Sequence, residues 1–211
     1  SSSDFSRSFR QHYGRSPRDF DLQHFRSARR AEFDRILDGA GESARLTALP
    51  AGENPDGFAV TLRDLPARTV AYLRVFDPYR PGVVQAASER LLGWAESRGL
   101  AQGQWLGYMW DEPEIVALEK CRYDVAVVVD AVQSEGEVGR LTFPPLRVAE
   151  LQVRGDIHLE VRALDWLYST WLPRSGHVPD DQPAFEAWFG RPFAHGSEYF
   201  ELACQLPVRR A

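Results

Sequence analysis

Two cysteines in 211 residues, Cys121 and Cys204, are too few for a disulfide scaffold. Both sit in apolar runs and read as buried reduced thiols, although the sequence alone does not exclude a bridge. The longest uninterrupted aliphatic stretch, Val125 to Val129, is far too short to span a bilayer, so no membrane partner is expected. His12, His24, His158, His177 and His195 show no ligand spacing with cysteine or acidic residues, which leaves no metal site. No phosphate-binding loop, nucleophile elbow or Cys-His dyad is present, and no cofactor is expected. The start, Ser-Ser-Ser-Asp, lacks a methionine and reads as a cut, with something upstream removed; no signal peptide is visible and a cytoplasmic location is expected.

What is present is an ordinary globular composition, 44% hydrophobic and 26% charged, long enough for one ample domain or a small one plus an appendage. Charge is placed unevenly. Residues 1–30 carry seven Arg and three Asp, whereas the whole chain has a formal charge of −5. A basic head on an acidic body suggests polyanion contact in front and tolerance of cations behind; the alternative is that the acidic excess serves solubility.

The second half repeats the first. One strand–helix–strand–strand unit runs from about Val60 to Asp130 and another from about Arg140 to Val208. Val70-Ala71 maps onto Val148-Ala149, and Trp110 with Pro113 falls near Trp188 with Pro192, while Trp94 and Trp166 align the helices only loosely. The expected fold is α+β: a pseudo-two-fold pair of modules forming an antiparallel sheet with helices on one side, preceded by a short helical remnant. Strands are predicted over 58–62, 68–76, 104–110, 122–129, 146–153, 184–189 and 198–206. Helices are predicted over 82–98 and 157–172, the second turning Val161, Leu164, Tyr168 and Trp171 inward. In the head, Ser3 is expected to cap a helix that Gly14 stops, and Ser16-Pro17 to begin a second one continuing to Leu37. The domain reading is a helical remnant over 1–37, a linker over 38–57 and a body over 58–211.

The head pattern Ser-x-Phe-Ser-Arg-x-Phe-(x3)-Tyr-Gly-x-Ser-Pro, Ser3 to Pro17, resembles the end of the AraC-type DNA-binding domain. The resemblance implies a recognition helix on which Ser2, Ser3, Arg7 and Arg10 face DNA, with Phe5 and Phe9 as core. The first helix-turn-helix and the start of the second are missing. DNA is therefore expected as a partner of the full-length protein and not of this fragment.

Five stretches of the body resemble the GyrI-like (SOGI) effector-binding domain, which occurs alone and fused behind AraC-type or MerR-type DNA-binding domains. They are Gly107-Tyr108-x-Trp110-Asp111-x-Pro113, Cys121-Arg122-Tyr123-Asp124, Trp171-Leu172-Pro173-x-Ser175-Gly176, Pro183-x-Phe185-Glu186-x-Trp188 and Leu206-Pro207-Val208. The resemblance implies a hydrophobic pocket with one essential Glu, here Glu186, that accepts cationic, often aromatic, small-molecule effectors. Trp188 stands where members usually have Tyr, exchanging a phenol for an indole.

The residues themselves point the same way. Glu186 and Trp188 lie two apart on a strand and share a face. A constant 78-residue shift would make Tyr108 and Trp110 their symmetry mates. A carboxylate ringed by Tyr108, Trp110, Trp188, Tyr168 and Trp171, with Tyr72 nearby, would be poorly hydrated. Either its pKa rises or a cation comes to it, with about 0.5–2 kcal/mol added by each ring face. Ligand-sensing regulation leads. A GyrI-like hydrolase using the same Glu and a gyrase-inhibitor-like protein-interaction module are the alternatives, and an oligomer is compatible with all three.

Overall fold

The computed structural model describes residues 2–38 and 52–211. Two helices come first, α1 (Ser2–Tyr13) and α2 (Leu22–Asp38). Ser3 lies inside α1 rather than capping it. Gly14, at φ 71°, ends the helix as expected, its N–H reaching the Arg10 carbonyl at 2.8 Å. Ser16-Pro17 forms a turn and not a helix: the Asp19 N–H returns to the Ser16 carbonyl at 3.1 Å. The true cap of α2 is Asp21, whose carboxylate accepts from the His24 N–H at 2.9 Å. Phe9 and Tyr13 pack on Phe20, with ring centroids 5.2 and 4.9 Å apart. Phe5 remains 61% exposed. Of the linker predicted over 38–57, residues 39–51 lie outside the described residues.

The body is β1 (Thr61–Leu65), β2 (Arg68–Phe76), α3 (Val83–Glu96), β3 (Trp105–Met109), β4 (Arg122–Val129), β5 (Gly139–Phe143), β6 (Leu146–Gly155), α4 (Ile157–Trp166), β7 (His177–Pro179), β8 (Ala184–Trp188) and β9 (Phe200–Arg210). β1 starts later than the sequence suggests because the Asn54 side chain takes both backbone groups of Phe58, at 2.7 and 2.8 Å, before the ladder begins. The strands pair in the order β1-β6-β9-β8-β3-β4-β2-β5, all antiparallel, with β7 added to β9. That order is symmetric about the β3–β8 boundary. β2-α3-β3-β4 and β6-α4-β8-β9 are the two copies, and each copy's leading strand, β1 or β5, pairs with the other copy.

The sheet cannot be flat. Six inter-strand steps separate β6 from β5, about 29 Å in a flat sheet. Yet only Pro144-Pro145 joins them, and three Cα steps reach about 11 Å. The registers show how this closes. Leu65 faces Leu146 and Arg68 faces Phe143, so Pro66-Ala67 stands across from Pro144-Pro145 with no slip. The two hairpin arms are one long ribbon bent at exposed prolines, whose missing N–H groups interrupt the ladder there. The sheet rolls around a core built mainly from strand residues, Val70, Leu106, Tyr108, Phe143, Val148 and Phe185. The other face carries α3 and α4 over Ala71, Leu73, Val125, Val127, Leu151, Leu202 and Cys204. Among the described residues no helix is long and apolar enough to cross a membrane.

Candidate functional site

Glu186 lies at the centre of the pseudo-symmetric sheet, on β8 opposite Gly107 of β3, and is 7% exposed. Its side chain points to the helical face. Its Oε2 accepts from the Tyr123 hydroxyl at 2.5 Å and from the Trp188 indole N–H at 3.0 Å. Glu160 of α4, 4% exposed, comes against it and shares a hydrogen bond with it. Burial raises the Glu186 carboxyl above its usual range, while the bonds from Tyr123, Glu160 and Trp188 pull it back. Glu160 is pushed much higher, by burial and then by the charge on Glu186. Two buried carboxyls in contact resist ionising together, which favours a shared proton, and of the two Glu160 is the one pushed up further. Cys204, directly across from Glu186 on β9, is raised by burial and then by both acids.

Gly107 makes room for this arrangement. A Cβ there would lie 1.8 Å from the Tyr123 oxygen and 2.6 Å from Glu186 Oε2. Tyr79 stands within reach of the charge on both acids, on a turn opened by Asp77 at φ 55° and closed by Gly82 at φ 79°. Burial raises the Tyr79 hydroxyl, with further contributions from Cys121, Glu186 and Glu160.

The residues singled out from the sequence separate into four places. Glu186 and Trp188 meet, Trp188 packing also on Phe193 and Phe200 at 5.3 and 5.6 Å. Tyr108, Trp110 and Tyr72 lie on the opposite face, inside the rolled sheet. The 78-residue shift relating Val70 to Val148 is one too few for β3 and β8, where Gly107 corresponds to Glu186, and a one-residue slip reverses every side chain. Tyr108 stacks on Phe143 at 4.5 Å. Trp110 donates to the fully buried Asp124 at 2.6 Å, and the faces of Trp110 and Tyr72 are occupied by the Arg74 guanidinium. Tyr168 and Trp171 miss the pair because the inward face of α4 is Glu160, Val161, Ala163 and Trp166. After Trp166 the chain widens into a π turn, Leu167–Trp171, that leaves Tyr168 44% exposed and Trp171 over His177. On α1, Ser3, Arg7 and Arg10 are exposed and one helical stripe, with Arg7 paired to Asp4 at 2.7 Å; the Ser2 side chain lies outside the described part.

Glu160, Tyr123 and Tyr79 were missed. Tyr123 sits inside the Cys121-Arg122-Tyr123-Asp124 motif, and its place on β4, one residue from Asp124, is the signal that it faces the helices. Glu160 carried a weaker one: an acid three residues from Ala163 and seven from Leu167 on an apolar helical face. Two surface hollows, of about 420 and 300 Å3, lie elsewhere. The first is lined by Phe58, Thr61, Glu150 and Arg154, the second by Arg74, Val83 and Arg90, and neither reaches Glu186. Among the described residues no cluster of His, Cys, Asp and Glu is arranged to hold a metal.

The fold is a two-module α+β domain with a buried acid pair on the second module, at the strand that meets the first. A family model described as the GyrI-like small molecule binding domain matches residues 58–209, and the chain belongs to that family. The chain is 32% identical over 164 residues to a DNA gyrase inhibitor of Edwardsiella piscicida, covering 72% of this chain and 99% of that one. Its fold is similar to that of EcmrR in an EcmrR–DNA complex, with TM-score 0.58, 13% identity, and 90% and 67% of the two chains covered. It is likewise similar to SAV2435 bound to tetraphenylphosphonium, with TM-score 0.51, 14% identity, and 72% and 94% covered.

Proposed function

We propose that this chain is the ligand-sensing part of an AraC-type transcriptional regulator, taking lipophilic cations, aromatic ones above all, at Glu186. The observation that carries this reading is the acid pair. Sharing one proton, the two acids offer a single negative charge in an apolar cluster that includes Trp188, Tyr123 and Met109. Anions are repelled there, neutral ligands gain no charge pairing, and a delocalised cation neutralises the charge with little desolvation cost of its own. Trp171 and Tyr168 line the outer end of the same helical face, whereas Tyr108, Trp110 and Tyr72 act through the sheet beneath it. In the full-length protein the stripe of Ser2, Ser3, Arg7 and Arg10 on α1 contacts DNA; the cytoplasm is the location this function requires.

Calorimetric titration with tetraphenylphosphonium tests the reading. Glu186→Gln keeps the shape and the contacts but removes the charge, and affinity falls at least about tenfold. Equal affinity in both proteins rejects the charge role, and catalytic turnover of a bound ester in place of stoichiometric binding favours a hydrolase. A second reading rests on the 32% identity to a gyrase inhibitor. Co-sedimentation with gyrase, undisturbed by Glu186→Gln, would support a protein-binding module instead.

A further inference from the structure

α2 lies outside the matched family region, yet it is docked on the body. Its inner face buries Phe33 and Leu37 against Tyr79, Val116, Leu118 and Cys121 of the first module and against Ile157 and Val161 of the second. Its polar edge does the same. Arg26 pairs with Glu112 and Glu114, on the loop after β3. Arg30 grips Asp165 of α4 with two nitrogens, at 2.9 and 2.7 Å, and is steadied by Asp34 at 2.7 Å. A bidentate guanidinium–carboxylate pair that is partly shielded from water holds one geometry. One helix thus clips the two modules together across the boundary between them.

That boundary is where Glu186 lies. Phe33 meets Tyr79 edge to face at 4.9 Å, and Tyr79 is near enough to Glu186 and Glu160 to feel the charge of both. Val161, which α2 covers, is the neighbour of Glu160. Glu186 is only 7% exposed, so a ligand reaches it only if something packed around it gives way, and α2 with Tyr79 is packing that spans both modules.

We propose that α2 is a strap closing the boundary between the modules over the Glu160–Glu186 pair, and that a bound cation and docked α2 exclude one another. This rests on the reading of Glu186 as the ligand site. Ligand-free protein holds the strap down through Phe33, Leu37, Arg26 and Arg30. Ligand binding pushes Tyr79 outward and releases α2, together with α1 packed on its start. Coupling of this kind is reciprocal: whatever loosens the strap strengthens the ligand by the same factor. The signal to the basic head then needs no long path, because the released element is joined to it.

Amide hydrogen exchange on the whole chain, with and without saturating tetraphenylphosphonium, reads the strap directly. Exchange across residues 22–38 is expected to accelerate on binding. In parallel, Arg30→Ala and the double variant Phe33→Ala/Leu37→Ala are expected to bind the cation about tenfold tighter than the parent, since less of the protein is closed. Binding with unchanged or slowed exchange in α2, or unchanged affinity in both variants, overturns the strap while leaving the site intact. Absence of binding in the parent and in both variants overturns the site and the strap with it.

Discussion

At the scale of single residues the chemistry turns on Glu160, whose proton defines how much charge the interior carries. An isolated carboxyl of this kind titrates near 4.5, and burial followed by the Glu186 charge lifts Glu160 well above that. Between pH 4.5 and the pair's own titration, the folded chain therefore favours holding a proton that the unfolded chain releases. Its contribution to stability is fully present below pH 4.5 and is lost as pH rises toward the pair's own titration, at about 1.4 kcal/mol per pH unit for one proton. Glu160→Gln copies the protonated shape and has nothing to release. Urea unfolding from pH 4 to 9 is expected to give a shallower decline above pH 4.5 for this variant than for the parent, the gap widening with pH. Parallel curves would mean that Glu160 is ionised in the folded state. Glu186 was legible in the sequence because its aromatic company and the Pro-x-Phe-Glu-x-Trp pattern mark it. Its partners were not, because facing is a matter of parity. Assigning the shift of one strand pair to the next placed Tyr108 where Gly107 belongs, and so chose the wrong side of the sheet.

At the scale of elements, strands that alternate against both neighbours read out to the residue. β2 and β4 were found with their observed limits, 68–76 and 122–129, because each buries one face under helices and the other inside the roll. β5 and β7 were missed: one is a five-residue edge arm and the other only three residues long, too short for a period to show. The helix after β6 was read as continuous to Leu172, and the π turn that rotates its last turn has no compositional mark. The hidden cross-link among β2, β3 and β4 is polar. Asp124, fully buried, accepts two bonds from Arg74 at 2.8 Å each and one from Trp110 at 2.6 Å. Removing it by Asp124→Ala leaves the Trp110 N–H and the Arg74 guanidinium without their buried acceptor and is expected to cost about 1–3 kcal/mol in denaturant unfolding. The exposed Asp4–Arg7 pair on α1 is the control, and Arg7→Ala is expected to change stability by about 0.5 kcal/mol at most. Equal effects at the two positions would mean that the inner face of the roll is hydrated.

At the scale of the whole molecule, symmetry and cooperativity are tied together by the swapped arms. A plain tandem repeat would let each copy fold on its own. Here β1 completes the second copy by pairing with β6, β5 completes the first by pairing with β2, and β3 and β8 join the copies at the middle. Residues from both copies fill one continuous core, with Leu73, Val125 and Leu91 in the same cluster as Leu151, Leu202 and Ala163. Each half keeps its helix over its own strands but loses the rest of its cover: residues 58–138 alone would expose the β2 edge, the β3 edge and the inside of the roll. Separate expression of residues 58–138 and 139–211 is therefore expected to give two chains without a cooperative transition. The intact body should unfold in one step, with tryptophan fluorescence and far-ultraviolet circular dichroism tracing the same curve. Two resolved transitions, or a first half that melts cooperatively by itself, would show that the ribbon bent at Pro66, Pro144 and Pro145 contributes little. The acid pair would then lie at a loose joint between two domains and not inside one.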